Sequence, residues 1–394
     1  MGGWLQEITQ IPGRLMMQPL LYWFILLGLI VSFKRVRKER DMFGIRIFDV
    51  FAETKGTWVT GFLTGITLSL VMVGAGIVIP FPVILLLSAL ILLMSLILRL
   101  NVLSAAYTLT VGYGIIFLLQ NISVSFIPEE WQQAFSGVSL TSITVIMAGG
   151  LFLEAIWVLR LNHKETFPEL VAGSRGKWIG QHRLKKLGMM PIFVLIPGGA
   201  ITPFMTWWPL LDIAGGSYGL MVVPFLSGFD VVTKGHHPVT AAKKLGSGLF
   251  LLAFLVTTVA IVSYWWEFLS IAAVGLAVVG KLFIHTLYRV RDKKAPYFSA
   301  NDQGLTVLGI IKNSPAEQMG IGVGDLIERV NQVKVTNEEE FYHAMNVNRA
   351  LCKMEIRDQH GEIRFTQRAI YQHDPYDLGL LFVKADVRKK AVSH

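Results

Sequence analysis

Asn313-Ser314-Pro315-Ala316-Glu317-Gln318-Met319-Gly320-Ile321-Gly322-Val323-Gly324-Asp325-Leu326-Ile327 is the stretch whose punctuation decides the fold of the C-terminal quarter of this chain. Ser314 suits a helix N-cap, Pro315 the first helical position and Gly320 the C-terminal stop. Working outward, Gly304–Ile311 is rich in apolar and β-branched residues and reads as a strand. Gly324-Asp325 turns into a second strand, Leu326–Val330, and Asn331-Gln332 turns again. Asn337 caps a helix over 338–348 that places Phe341, Met345 and Asn348 on one face. Two further strands, 350–357 and 361–368, are joined by the turn Asp358-Gln359-His360-Gly361. The single cysteine, Cys352, excludes an intrachain disulfide and reads as a small buried residue in a strand.

Ser314-Pro315-Ala316, Gly320, Gly324-Asp325 and Ile327 together resemble the core of bacterial PDZ domains, over roughly 296–386. That resemblance implies strand addition, in which a peptide's C-terminal carboxylate sits on backbone N–H groups and the peptide pairs with a strand edge beside a helix. The usual carboxylate loop is absent ahead of Gly304. Asp377-Leu378-Gly379-Leu380-Leu381-Phe382-Val383 occurs instead at the far end, the order of a circularly permuted domain. Leu378, Gly379 and Leu380 are the expected carboxylate loop. The expected groove lies between strand 380–384 and helix 338–348, lined by Leu380, Phe382, Phe341 and Met345. Strand alternation requires some of these side chains to be core.

The rest of the chain belongs to a different solvent. The 394 residues are 53% hydrophobic and 16% charged, where a soluble domain has roughly 25% charged. Residues 1–295 hold 24 Lys/Arg against 14 Asp/Glu and all ten tryptophans, whereas 296–394 hold 12 against 13. The expected organisation is a helical membrane domain of about 7–9 spans over 1–295, a small, mainly β, α+β PDZ-like domain over 296–386, and a basic tail over 387–394. Apolar stretches of about 20 residues fall at 15–33, 57–79, 82–98, 102–120, 137–159, 189–208, 247–264 and 268–287, with 213–229 ambiguous. Pro80-Phe81-Pro82 breaks the second span from the third. Trp23, Trp58, Trp157, Trp207, Trp208, Trp265 and Trp266 fall near span ends, as an interfacial belt.

Lys34-Arg35-Val36-Arg37-Lys38-Glu39-Arg40 follows the first span. Residues 160–188, Lys234 with Lys243-Lys244, and Arg289–Lys294 are also basic, while loop 121–136 has Glu129 and Glu130 and no Lys or Arg. Basic loops stay cytoplasmic and face anionic lipid, which puts the C-terminal domain inside and the N-terminus outside. That arrangement needs an odd number of crossings, and eight spans are even. Pro191, Pro197, Pro203 and Pro209 mark 189–229 as the region to resolve. The nearly neutral soluble part gives no nucleic-acid footprint.

Membrane enzymes are excluded by motif. There is no His-Glu-x-x-His, no Gly-x-Ser-x-Gly and no Walker A, and no metal or cofactor is expected. His236-His237-Pro238 is an adjacent pair in a basic loop. Gly246-Ser247-Gly248 reads as a helix entry, and Gly173-Ser174-Arg175-Gly176 as a loop. Glu154, inside the fifth span, reads as one half of a helix–helix hydrogen bond or ion pair, and Lys281 and His285 as side chains snorkelling to the interface.

Many spans, the anchor Leu21-Tyr22-Trp23-Phe24 followed by Lys34–Arg40, and one C-terminal PDZ-like domain together resemble the MinJ family of division-site topology proteins. The resemblance implies a scaffold and not an enzyme. It implies a bridge between DivIVA-like and MinD-like proteins, contact with divisome proteins, and a place at septum and poles. Two other readings are an adaptor that presents substrates to a membrane protease, and a transporter with a regulatory PDZ domain. A transporter should show an internal repeat, and none is visible.

Overall fold

The structure is a computed structural model that describes residues 2–122, 124–125, 127–173, 177–203, 205, 208–210, 216–293, 295–348, 351–369 and 378–383. Trp207, Ser174–Gly176, residue 384 of the expected groove strand and the tail 387–394 lie outside the described residues. The helices are α1 (Gly2–Met16), α2 (Pro19–Phe43), α3 (Thr57–Gly74), α4 (Phe81–Ser95), α5 (Ala105–Asn121), α6 (Glu129–Gly137), α7 (Leu140–Leu159), α8 (Pro238–Val262) and α9 (Leu269–Arg291). Five of them, α2, α3, α7, α8 and α9, are long and apolar enough to cross a bilayer, so this is a multi-pass membrane protein. Proline opens α2 and α8 where a missing N–H costs nothing. Gly246–Gly248 accordingly lies inside α8 and not at its entry.

The expected span 189–208 is not a helix. Three strands, β1 (Phe167–Ala172), β2 (Trp178–Ile201) and β3 (Tyr218–Thr233), form an antiparallel sheet in the order β1-β2-β3. The β2–β3 ladder runs from His182↔Thr233 to Pro197↔Tyr218. The ambiguous stretch 213–229 is thus mostly the returning arm of a hairpin. Pro191 and Pro224 sit directly opposite each other. Neighbouring hydrogen bonds show that this parity points its backbone groups away from the partner strand, so neither proline removes a ladder bond. A hairpin enters and leaves on one side, so it adds no net crossing, and the even count of eight loses one member.

Lipid tolerates no unpaired sheet edge, because each unsatisfied backbone group costs several kcal/mol there. Helix α3 seals the outer edge of β2. Its residues Thr57, Gly61, Gly65 and Ser69 recur every four positions, about 6.0 Å of helix rise, which matches two strand residues at about 6.6 Å. Thr57 Oγ1 donates to the Leu187 carbonyl (3.1 Å), and the Phe193 N–H donates to Ser69 Oγ (2.8 Å). Between them, a Cβ on Gly61 would stand 2.2 Å from the Met189 oxygen, and one on Gly65 2.3 Å from that of Pro191. Helix α3 stops at Gly74, short of the expected 79, because the next residues join the strand: the Ile79 N–H donates to the Leu195 carbonyl (2.8 Å).

Side chains seal the outer edge of β3. At the hairpin tip Glu7 of α1 accepts from the N–H groups of Ala200 and Leu220 (3.0 Å each), and Arg14 pairs with Glu7 (2.6 Å) while donating to the Leu220 carbonyl. At the other end the Asp230 N–H donates to Asn101 Oδ1 (2.7 Å), and Asn101 Nδ2 donates back to the Asp230 carbonyl.

Several residues expected at the lipid boundary are internal. Trp157 and Trp208 are buried and donate from Nε1 to Thr60 Oγ1 (2.7 Å) and the Val73 carbonyl (2.9 Å). The half-buried Trp23 donates to Ser95 Oγ (2.6 Å). Trp58, Trp265 and Trp266 remain exposed, as a belt requires.

The C-terminal region is mainly β. It contains β4 (Phe298–Ser299), β5 (Leu305–Ile310), α10 (Pro315–Gln318), β6 (Leu326–Val330), β7 (Val333–Lys334), α11 (Glu338–Val347), β8 (Leu351–Arg357), β9 (Ile363–Ala369) and β10 (Leu380–Phe382). The Glu317 N–H donates to Ser314 Oγ (3.4 Å) and the Glu340 N–H to Asn337 Oδ1 (2.9 Å), so both expected caps are made. Sheet order is β10-β5-β6-β8-β9, with β7 on β6. Cys352 is fully buried in β8, and burial pushes its thiol up to about 11.

The sealed edge gives a direct expectation. Gly61→Val forces α3 off β2, and overpacking of this kind costs about 1–3 kcal/mol or more. Gly114→Val on α5 has no neighbour within 4 Å and serves as the control. Thermal unfolding of the full chain in detergent should fall markedly for the first and little for the second. Equal melting temperatures would remove the close approach.

Candidate functional site

All six residues expected at the peptide groove converge on one corner of the C-terminal domain. Strand β10 is the terminal strand of its sheet and pairs antiparallel with β5, Leu380 opposite Ile310 and Leu381 opposite Gly309. Leu378, Leu380, Phe382 and Phe341 are buried in one cluster, with Met345 half-buried against it. The Phe341 and Phe382 rings meet edge to face at 5.0 Å. These apolar side chains therefore bind helix α11 to strand β10 as core, and Met345 is the member with surface to offer.

Gly379 has φ +81° and is boxed in, since a Cβ there would lie 2.3 Å from Ser314 Cβ. The Ile311 N–H donates to the Gly379 carbonyl (2.9 Å), and the Ala316 N–H to that of Leu378 (3.0 Å). Glycine is needed here for both conformation and space. A bulky substitution would detach segment 378–383 as well as block any ligand.

The C-terminal domain is docked onto the membrane domain along a seam that sequence reading did not find. Strand β4 pairs with β2 through Ile179↔Ser299 and Gly180↔Phe298. His182 of β2 is fully buried, Nε2 facing the Leu308 carbonyl (2.9 Å) and Nδ1 facing Thr166 Oγ1 (2.9 Å). Burial pushes this imidazole down to about 3, so it is neutral. A carbonyl only accepts, so Nε2 carries the proton. His236 Nδ1 meets Asp292 (3.1 Å), whose carboxylate also accepts from the N–H groups of Lys234 and Gly235. His237 reaches the Val323 carbonyl (3.3 Å) and Gln359 (3.0 Å). Of the adjacent histidines, His237 is thus a joint of the seam, while His236 ties the β3–α8 turn to the end of α9. Among the described residues no group of three His, Cys, Asp or Glu could hold a metal ion.

Part of the basic surplus is spent on this architecture. Arg35 is buried between Glu39 and Glu53, and Lys38 pairs with Glu169 (2.7 Å). Burial opposes ionisation of Glu169, but Arg183 and Lys38 hold its carboxyl below the usual range.

No protein-family model matches the chain. Compared with curated proteins, it is 35% identical over 391 residues to the cell division topological determinant MinJ of Bacillus subtilis (strain 168), covering 99% of this chain and 98% of that one. The chain belongs to the MinJ family. A probable MinJ of Lacticaseibacillus paracasei is 24% identical over 244 residues, 60% of this chain and 64% of that protein. The Bacillus subtilis match spans nearly the whole length, so the MinJ resemblance covers the hairpin, the seam and the C-terminal domain together.

The intramembrane charges find each other inside this MinJ-family bundle. Lys281 of α9 is fully buried and does not snorkel; it pairs with Glu154 of α7 and donates to Ser104, which itself donates to Glu154 (2.7 Å). The Lys281 ammonium also lies 5.4 Å from the Tyr107 ring centre. Glu154 therefore takes the expected ion-pair role, with Lys281 as the partner that sequence could not name. Removing one member strands a buried charge. Lys281→Met alone should cost about 3–5 kcal/mol, while Glu154→Leu with Lys281→Met should recover most of that loss. Thermal unfolding in detergent checks it, and equal losses for single and double variants would contradict a structural role.

Proposed function

We propose that this MinJ-family protein is a membrane scaffold in division-site selection. In this reading the C-terminal domain is cytoplasmic and is a circularly permuted PDZ domain that holds partner proteins at septum and poles. The single observation that carries the scaffold reading is the 35% identity across both domains to a cell division topological determinant. The permutation is supported by β10, which follows every other strand in sequence yet pairs beside β5, the first long strand of the domain. The orientation is supported by parity. The five helices long enough to cross, taken with the shorter α4 and α5 as a further up-and-down pair, give an odd number of crossings in this reading, and the hairpin adds none net. An odd count puts the termini on opposite sides, and the basic segments after α2, α7 and α9 favour a cytoplasmic C-terminus.

The partners in this reading are DivIVA-like and MinD-like proteins with divisome components, and the chain performs no enzymatic step. Strand addition at β10 is made of backbone hydrogen bonds worth about 0.5–1.5 kcal/mol each. A free domain binds weakly by such means. Confinement of both partners to one membrane patch raises their effective concentration, so weak contacts suffice.

A fluorescent fusion of the full chain in a dividing rod-shaped cell is expected at septum and poles, with the MinD-like partner beside it. Met345→Glu places a charge on the half-exposed side of α11 while leaving the buried Phe341–Phe382 contact. That variant should keep its own position and release the partner. Uniform membrane fluorescence of the wild type would defeat the scaffold reading, and an unmoved partner would defeat the groove.

A further inference from the structure

A cavity of ≈ 1070 Å³ lies between the membrane domain and the C-terminal domain. That exceeds the usual range of about 300–1,000 Å³ for a ligand site. One wall is built from the α2–α3 turn, Trp58 in the first turn of α3 and the stretch after α7. The other comes from the end of β5, the α10–β6 loop and Arg364.

Five cations line it: Lys55, Arg160, Lys164, Lys312 and Arg364. Its three lining carboxylates are already partnered, Glu317 by Lys164 (2.6 Å), Asp49 by Lys312 (3.8 Å) and Glu165 by Lys186 (3.4 Å). Arg364 pairs with Asp325. Lys55 and Arg160 remain, both exposed and neither in an ion pair among the described residues. They stand at the start of α3 and the end of α7, the level at which spans meet headgroups. Beside them Phe51 and Trp58 are 38% and 50% exposed. Two free cations next to exposed aromatic surface at a span end match an amphiphile with an anionic head.

We propose that this cavity binds an anionic phospholipid, its phosphate drawn to Lys55 and Arg160 and its acyl chains leaving past Phe51 and Trp58. The proposal rests on the cytoplasmic orientation of this face, where the leaflet is anionic, and not on any protein partner. Bound lipid would brace the seam between the domains, coupling the position of the C-terminal domain to the charge of the local membrane.

The test uses the purified full chain in detergent and native mass spectrometry, with phosphatidylglycerol and phosphatidylcholine offered at equal concentration. The wild type should prefer phosphatidylglycerol. Lys55→Gln with Arg160→Gln should lower that preference roughly thirtyfold, from what each cation near an anionic headgroup contributes. Lys243→Gln with Lys244→Gln, exposed on α8 outside the cavity, should leave it unchanged. No preference in the wild type, or an equal fall in both variants, overturns the site. Displacement of the lipid by equimolar glycerol phosphate would make the ligand a soluble phosphate ester and overturn the lipid reading. Orientation is checked separately with Glu130→Cys in a Cys352→Ser chain and an impermeant thiol reagent. Labelling in intact cells is expected; labelling only in broken cells would overturn the leaflet assignment while leaving detergent binding to be judged by itself.

Discussion

The contact between the Thr57-Gly61-Gly65-Ser69 face of α3 and the edge of β2 is the constraint on which the rest of the structure depends. A β-hairpin at the depth of membrane spans is admissible only if its free edges are closed. The helix closes one by matching its four-residue repeat to the two-residue repeat of the strand. Hydroxyls at the ends of the stripe make hydrogen bonds, and glycines in the middle let the backbones meet. Glu7, Arg14 and Asn101 close the other edge with side chains. Removing α3 would expose strand backbone that lipid cannot satisfy.

The hairpin carries this order out of the membrane. Below Leu187 strand β2 leaves α3, pairs with β1 and β4, and presents Gly180 and His182 to the C-terminal domain. The C-terminal domain is therefore seated on a continuous strand that starts within the bundle. Asp292, just past α9, ties the same seam to the β3–α8 turn. This connection fixes the place of the C-terminal domain relative to the membrane helices. The cavity beside the seam is where lipid could tune that placement.

Local signals were legible in the sequence because they act locally. The caps Ser314 and Asn337, the glycine stop at Gly320 and the strands around them all appear within a residue or two of expectation. The helical spans followed from apolar length alone. The hairpin did not, because a continuous apolar run reads alike as a buried helix or as a buried strand. Four prolines between 191 and 209 were the available clue. Pro191 facing Pro224 shows why they are tolerated, since both sit where the strand needs no donor. The Glu154–Lys281 pair was half legible: each charge stood out, but the pairing joins residues 127 positions apart and only packing reveals it. The six residues expected at a groove lie together in the structure, but most serve as core, a distinction that alternation alone does not draw. His236 and His237 do lie in a loop, the β3–α8 turn, as expected, but the contact of His237 with the Val323 carbonyl was not legible because that partner lies 86 positions away.

Residues 187–197 and 218–228 pair as the two arms of a hairpin in one register. Disulfide cross-linking in intact membranes tests it most directly, in a chain with the buried Cys352 replaced by serine. Phe193 and Val222 are direct cross-strand partners, whereas Phe193 and Met221 are one residue out of register, which puts their side chains on opposite faces. Phe193→Cys with Val222→Cys should cross-link readily under mild oxidation, and Phe193→Cys with Met221→Cys should not. Equal cross-linking of the two pairs, or none at 193 and 222, would contradict the hairpin and the sealed edge built on it.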